Sequence, residues 1–154
     1  MRPLVVLHYS ELGLKGGNRP LFEQKLRREI KRVLSPWKGQ VHLSQARLWA
    51  FLDPGADRPA VVEVLEKVFG LAWFSWGFSV ERTEESLRNA AHKLLEENKT
   101  AKTFALAAKR LDKRFSLTSE QICRRLGDSL RQKTGLNVDL DAPDIKITID
   151  VFEK

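Results

Sequence analysis

The chain has 154 residues, 42% of them hydrophobic, which is enough apolar material for one medium domain or two small ones with their own cores. Its net charge of +7 directs attention to anionic partners. A single cysteine, Cys123, excludes an intrachain disulfide and points to a reducing compartment. No apolar run has the length of a signal peptide or a membrane span, so a soluble cytoplasmic protein is expected.

The first element is the run Pro3–Tyr9, rich in Val and Leu, which reads as a buried strand. A glycine-rich turn over Gly13–Gly17 leads to Asn18 as a helix N-cap, with Pro20 in the first turn. Phe22, Leu26, Ile30 and Val33 then recur at helical spacing until Ser35-Pro36. Val41–Ser44 and Arg47–Leu52 read as two strands with a short connection. Asp57 caps a second helix carrying Val61, Val62, Leu65, Val68 and Phe69, which Gly70 closes. Trp73–Val80 is an aromatic, strand-forming run. The order β-α-β-β-α-β is the ferredoxin-like pattern and predicts a domain over residues 1–80.

A second unit is predicted over residues 81–154. Leu87, Ala90, Ala91, Leu94 and Leu95 define an amphipathic helix capped near Thr83. Thr103–Ala108 is a strand, followed by a basic connector and a helix with Ile122, Leu126 and Leu130 on one face. Thr118 and Gln121 form a capping box for that helix, and Gly135 stops it. Ile145, Ile147, Ile149 and Val151 alternate with Lys146, Thr148 and Asp150, the pattern of a half-buried strand. This α/β unit ends on a strand with no closing element. Its open edge is left for a missing segment or a second copy of the chain to cover, so a homodimer is among the expected partners.

The positive charge lies in two segments. Residues 15–38 hold eight Lys/Arg against two Glu, and residues 109–133 hold eight against three acids; elsewhere acids outnumber bases. In the second segment Lys109, Arg110, Lys113 and Arg114 adjoin Phe115 and a hydroxyl-rich helix start at Ser119. That combination suits a phosphate backbone better than a core. Phe115 is open to two readings, a base-stacking ring or a buried anchor for the connector. The Gly13–Arg19 loop places Lys15 and Arg19 at a helix N-terminus, which is a phosphate seat or an ordinary turn, and it lacks the P-loop pattern. Lys25, Arg28 and Arg32 on the following helix form a supporting cationic face or a merely solvated one.

Other residues offer no catalytic grouping. Cys123 sits on the apolar face of its helix and reads as an inert thiol rather than a sulfur carrier. His8, His42 and His92 are scattered, and no metal site is expected. Trp37, Trp49, Trp73 and Trp76 are most economically core or domain-interface residues. Asp139, Asp141 and Asp144 around Pro143 suit a turn. No active site is predicted in these residues.

Three stretches carry a family resemblance. Tyr9-Ser10-Glu11-Leu12-Gly13-Leu14-Lys15-Gly16-Gly17-Asn18-Arg19, with Phe22-Glu23, resembles the opening of the tRNA 4-thiouridine synthetases, also called thiamine-biosynthesis sulfurtransferases. Lys109 through Ser119 resembles the signature of their THUMP domain, as does Thr134-Gly135-Leu136-Asn137-Val138-Asp139-Leu140 with Pro143-Asp144. The resemblance implies an α+β chain, with a ferredoxin-like domain followed by a THUMP domain that is incomplete at its C-terminus. It further implies tRNA as partner, with the THUMP surface gripping the acceptor end and the N-terminal domain supporting the stem; Lys15 and Arg19 carry over as tRNA-binding residues from the first motif, and Lys109, Arg110, Lys113, Arg114 and Ser119 from the second. The family's SGGxDS loop is absent from this sequence. ATP and a persulfide donor are therefore expected only in a catalytic adenylating domain, in a longer parent chain or a separate protein. A competing expectation is an adaptor that docks an RNA-modification enzyme and touches RNA weakly.

Overall fold

The computed structural model describes residues 1–10 and 17–153. The chain divides into two compact units, Met1–Ser79 and Val80–Lys154.

In the first unit β1 (Arg2–Tyr9) is followed by α1 (Arg19–Val33), β2 (Gln40–Ser44), β3 (Arg47–Phe51), α2 (Arg58–Glu66) and β4 (Leu71–Ser79). The strands form an antiparallel sheet in the order β2-β3-β1-β4, the ferredoxin-like arrangement. Period-two alternation sends Val5, Leu7 and Tyr9 of β1 and Leu48 and Ala50 of β3 to one face. There they pack with Leu26 and Ile30 of α1 and Val61 and Leu65 of α2. The β2–β3 hairpin turns through Gln45 and Ala46, both at positive φ (54° and 56°), as a two-residue hairpin turn demands.

Three local expectations change here. Asn18 occupies the N-cap position of α1, but its side chain caps nothing. Its backbone is helical, and Pro20 has removed one of the N–H groups a cap would bond. The second helix ends at Glu66, with its C-cap at Lys67, so the helical period stops before Phe69, which is 95% exposed rather than in the core. Gly70, at φ +95°, then turns the chain into β4. Trp73 is 57% exposed, whereas Trp37 and Trp76 pack against the core and Trp49 is buried.

The second unit runs α3 (Glu84–Glu96), β5 (Thr103–Arg110), α4 (Ser119–Thr134), β6 (Asn137–Val138) and β7 (Ile145–Val151). Its sheet is parallel with order β6-β5-β7. Phe104 of β5, Ile122, Leu126 and Leu130 of α4, and Ile147, Ile149 and Val151 of β7 make the core, with Ala91 and Leu95 of α3. The capping box of α4 is fully formed: Gln121 N donates to Thr118 Oγ1, and Thr118 N donates to Gln121 Oε1. Gly135, at φ +73°, ends that helix, its N–H reaching Arg131 O at 2.9 Å. The two-residue strand β6 was too short to announce itself by periodicity. Asp139 and Asp144 work as turn residues. Asp139 accepts from the backbone of Asp141 and Ala142, and Asp144 from that of Lys102 and Thr103.

Candidate nucleic-acid interface

The basic segment of the second unit begins on a strand, not in a loop. Strand β5 extends to Arg110, its parallel pairing with β7 running as far as Arg110 opposite Val151. Alternation therefore separates the first two cations. Lys109 is exposed, whereas Arg110 is half-buried and its guanidinium donates to the carbonyls of Phe115 (3.3 Å) and Leu117 (3.4 Å). The backbone N–H of Arg110 donates to Ser119 Oγ at 3.2 Å. Arg110 and Ser119 thus brace the connector between β5 and α4. Phe115 packs against the second core, which favours its reading as an anchor.

The residue that organises the connector is Asp112, the sole acid among the four cations. Its side chain is fully buried, unlike any other polar or charged residue among those described. One carboxylate oxygen accepts from Arg114 N (2.9 Å) and Arg114 Nε (3.0 Å); the other accepts from Arg114 Nη2 (3.4 Å) and, at closest range, Arg82 Nη1. The backbone N–H groups of Leu111 and Asp112 both donate to Val151 O at 2.9 Å, tying the connector to the end of β7. A buried carboxylate is stable only when paired and hydrogen-bonded, so this loop has one preferred shape. That shape holds Lys109 and Lys113 outward, and among the described residues neither has an ion-pair partner. Arg114 is 71% exposed while touching Asp112 and, at 3.8 Å, Glu153. A lone acid inside a basic run was the available signal for Asp112; Arg82, thirty residues upstream, had none.

The first unit treats its cations differently. Lys15 lies outside the described residues. Arg19 is engaged by Glu23 (Nε to Oε1, 2.7 Å) and by the Tyr9 hydroxyl (3.2 Å), which itself donates to Glu23 at 2.5 Å. Hydrogen bonds from Arg19 and then Tyr9 hold the Glu23 carboxyl below the usual glutamate range. Burial pushes the Tyr9 hydroxyl up, with the Glu23 hydrogen bond acting in the same direction. Lys25 and Arg28 are exposed on α1, while Arg32 forks onto Glu29 at 2.6 and 2.9 Å. Cys123 is half-buried, its Sγ 3.7 Å from Leu106 O. Among the described residues no cluster of His, Cys, Asp or Glu could hold a metal ion, and no helix is long and apolar enough to cross a membrane.

Comparison with known proteins follows the same division. Residues 4–75 match the family model of the ThiI ferredoxin-like domain, and residues 81–154 match that of the THUMP domain. A probable tRNA sulfurtransferase of Staphylococcus epidermidis is 32% identical over 149 residues, covering 96% of this chain and 37% of the relative. One from Streptococcus pneumoniae is 34% identical over 153 residues, covering 97% and 38%. A crystal structure of a 4-thiouridine synthetase–RNA complex with bound ATP is similar at a TM-score of 0.84 and 29% identity, over 99% of this chain and 39% of that one. PH1313 from Pyrococcus horikoshii shares the fold, at a TM-score of 0.78 and 24% identity over 99% of this chain and 52% of that one. The chain spans well under half the length of the sulfurtransferase relatives it matches. The chain is thus built of a ThiI ferredoxin-like domain followed by a THUMP domain, and it is similar to the corresponding part of the longer tRNA sulfurtransferases.

Proposed function

We propose that this chain captures tRNA at its acceptor end and positions it for 4-thiouridine formation by an ATP-dependent sulfurtransferase domain outside these residues. The observation that carries the reading is the connector after β5. Lys109 projects from the end of β5, and Lys113 and Arg114 from a loop whose shape is set by a buried Asp112, beside the N-terminus of α4. A fixed array of cations at a helix start is a phosphate-binding arrangement. The likeness to a synthetase solved with RNA supports it.

In this reading Lys109, Lys113 and Arg114 contact phosphates, while Arg110 and Ser119 keep the loop in register. Lys15 and Arg19 contribute from the first unit, with Lys25, Arg28 and Arg32 as a weaker supporting face. Contacts to the backbone carry little sequence information, so selectivity rests on the shape of folded tRNA and its unpaired 3′ end. Adenylation, and the ATP and persulfide it requires, are assigned to the catalytic domain, whether in the same polypeptide or a separate one. The test is a titration of unfractionated tRNA at several salt concentrations, with duplex DNA as control. Tight, steeply salt-dependent binding that favours tRNA is expected. Equal binding to both nucleic acids, or none, would refute capture and move an adaptor role ahead.

A further inference from the structure

Of the three cations presented between β5 and α4, Arg114 alone stands against acids among the described residues, and the two acids hold it differently. Asp112, fully buried, takes one edge of the guanidinium. Its Oδ1 accepts from Nε at 3.0 Å and its Oδ2 from Nη2 at 3.4 Å. Nη1 carries no hydrogen bond among the described residues, and the side chain is 71% exposed. A planar fork gripped along one edge has its remaining N–H groups fixed in direction, which is what bidentate recognition of a phosphate requires. Glu153 approaches the same guanidinium from solvent. Its Oε1 lies 3.8 Å from Nη2, beyond hydrogen-bond length, and its own side chain is 70% exposed. The backbone leading into Glu153 is anchored beside the connector. Val151 O accepts from Leu111 N and Asp112 N, and Phe152 O accepts from Arg82 Nη1 at 3.5 Å.

We propose that Glu153 is an internal counter-anion, an autoinhibitory contact whose carboxylate shields Arg114 until a phosphate takes its place. The proposal rests on the RNA-capture reading above and adds to it the residue that weakens one subsite of that surface. The two acids act in opposite senses. Asp112 also accepts from Arg114 N and from Arg82, so it stays in place when an anion arrives and aims the guanidinium at it. Glu153 makes no hydrogen bond to Arg114, and two exposed charges at this distance attract each other only at surface strength. A phosphate matches the fork with two oxygens and displaces the carboxylate into water, where it is fully hydrated. Glu153 then remains as a negative charge close to the RNA backbone. Both the displacement and the repulsion lower the affinity.

The experiment is Glu153→Gln, which removes the charge and keeps the shape, titrated with unfractionated tRNA at low and at high salt. At low salt the variant should bind about two- to fivefold more tightly than the unaltered 154-residue chain, the range of an exposed ion pair. The gain should shrink at high salt, where exposed charges are screened. Tighter binding is a result that damage to the fold does not produce. A double-mutant cycle then reads the contact itself. Arg114→Gln should weaken binding, and in that background Glu153→Gln should change the affinity little. Three results would each overturn the proposal: no gain from Glu153→Gln, a gain that persists in full without Arg114, or undiminished binding by Arg114→Gln. The second of these would make Glu153 one more acid in a general field. Capture itself would still stand in all three cases if binding falls with salt and needs Lys109 and Lys113. Failure of the unaltered chain to bind tRNA would end both readings together.

Discussion

Replacing Asp112 by alanine tests whether one buried carboxylate shapes the connector between β5 and α4. The variant deletes the acid that pairs with Arg82, a side chain 33% exposed whose Nε is already buried without a partner among the described residues. It also leaves the backbone N–H of Arg114 without its acceptor. Breaking a buried pair from one side costs about 3–5 kcal/mol. The Arg114 side chain is largely in water and recovers its hydration, so its share is close to that of a surface pair, about 0–1 kcal/mol. The expected loss is therefore at the lower end, about 3 kcal/mol. With a urea m-value of about 1 kcal/mol per M for a unit this small, the midpoint should fall by about 3 M. All four tryptophans lie in the first unit, so their fluorescence follows that unit and circular dichroism follows both. The dichroism transition should split, its second-unit part moving to low urea while the fluorescence transition stays in place. Asp112→Asn keeps an acceptor for Arg114 N but no charge for Arg82, and it should fall between the two. A shift below about 0.5 M for the alanine variant would show that Asp112 contributes no more than an exposed pair, and the argument for a pinned loop would fail.

Changing Lys109 and Lys113 together to alanine should flatten the dependence of log Kd on log salt by about 1.5, near the value for two lost phosphate contacts, without moving the urea midpoint. Arg110→Ala should do the reverse, lowering stability through the freed Phe115 and Leu117 carbonyls while the salt slope changes little; a matching slope change would make Arg110 a contact residue. Gly70→Ala should destabilise the first unit by about 1–2 kcal/mol, because Gly70 sits at φ +95° and an added Cβ would approach Phe22 Cζ to 2.9 Å. The fluorescence-detected transition reports this, and an unchanged midpoint would contradict it. Bonds from Lys102 N and then Thr103 N hold the Asp144 carboxyl below the usual aspartate range. Its folded pKa is depressed, so its stabilisation is complete above the unfolded value of about 3.9 and disappears as pH falls through the native value. A carboxyl NMR titration of Asp144 with a midpoint at or above about 3.9 would exclude that linkage.

The parts of the fold that could be read from residue order are those governed by local rules. The strict alternation over Ile145–Val151 and the Thr118–Gln121 box each depend on neighbours within a few residues, and both are found as expected. Phe69 and Trp73 were misplaced for a related reason. An apolar residue three positions past a helix, or on an edge strand, looks like core until the end of the element is known. The basic segment was visible as charge, yet charge alone did not separate Lys109, which faces out, from Arg110, which braces the loop. That depended on β5 continuing two residues further than its apolar run, because pairing with β7 extends the strand to Arg110.

Composition and periodicity by themselves determined that this is an α+β chain with a ferredoxin-like pattern first, an α/β unit second, and its cations in two segments. Those properties follow from side-chain chemistry and from repeats of 2 and 3.6 residues, which need no partner distant in sequence. Tertiary structure alone decided which cations are presented and which are consumed. Asp112 meets Arg82 across thirty residues, Leu111 and Asp112 reach Val151 across some forty, and Trp73 finds His8 across sixty-five. Each of these contacts is set by strand register and loop closure, quantities that exist only once distant segments have packed together.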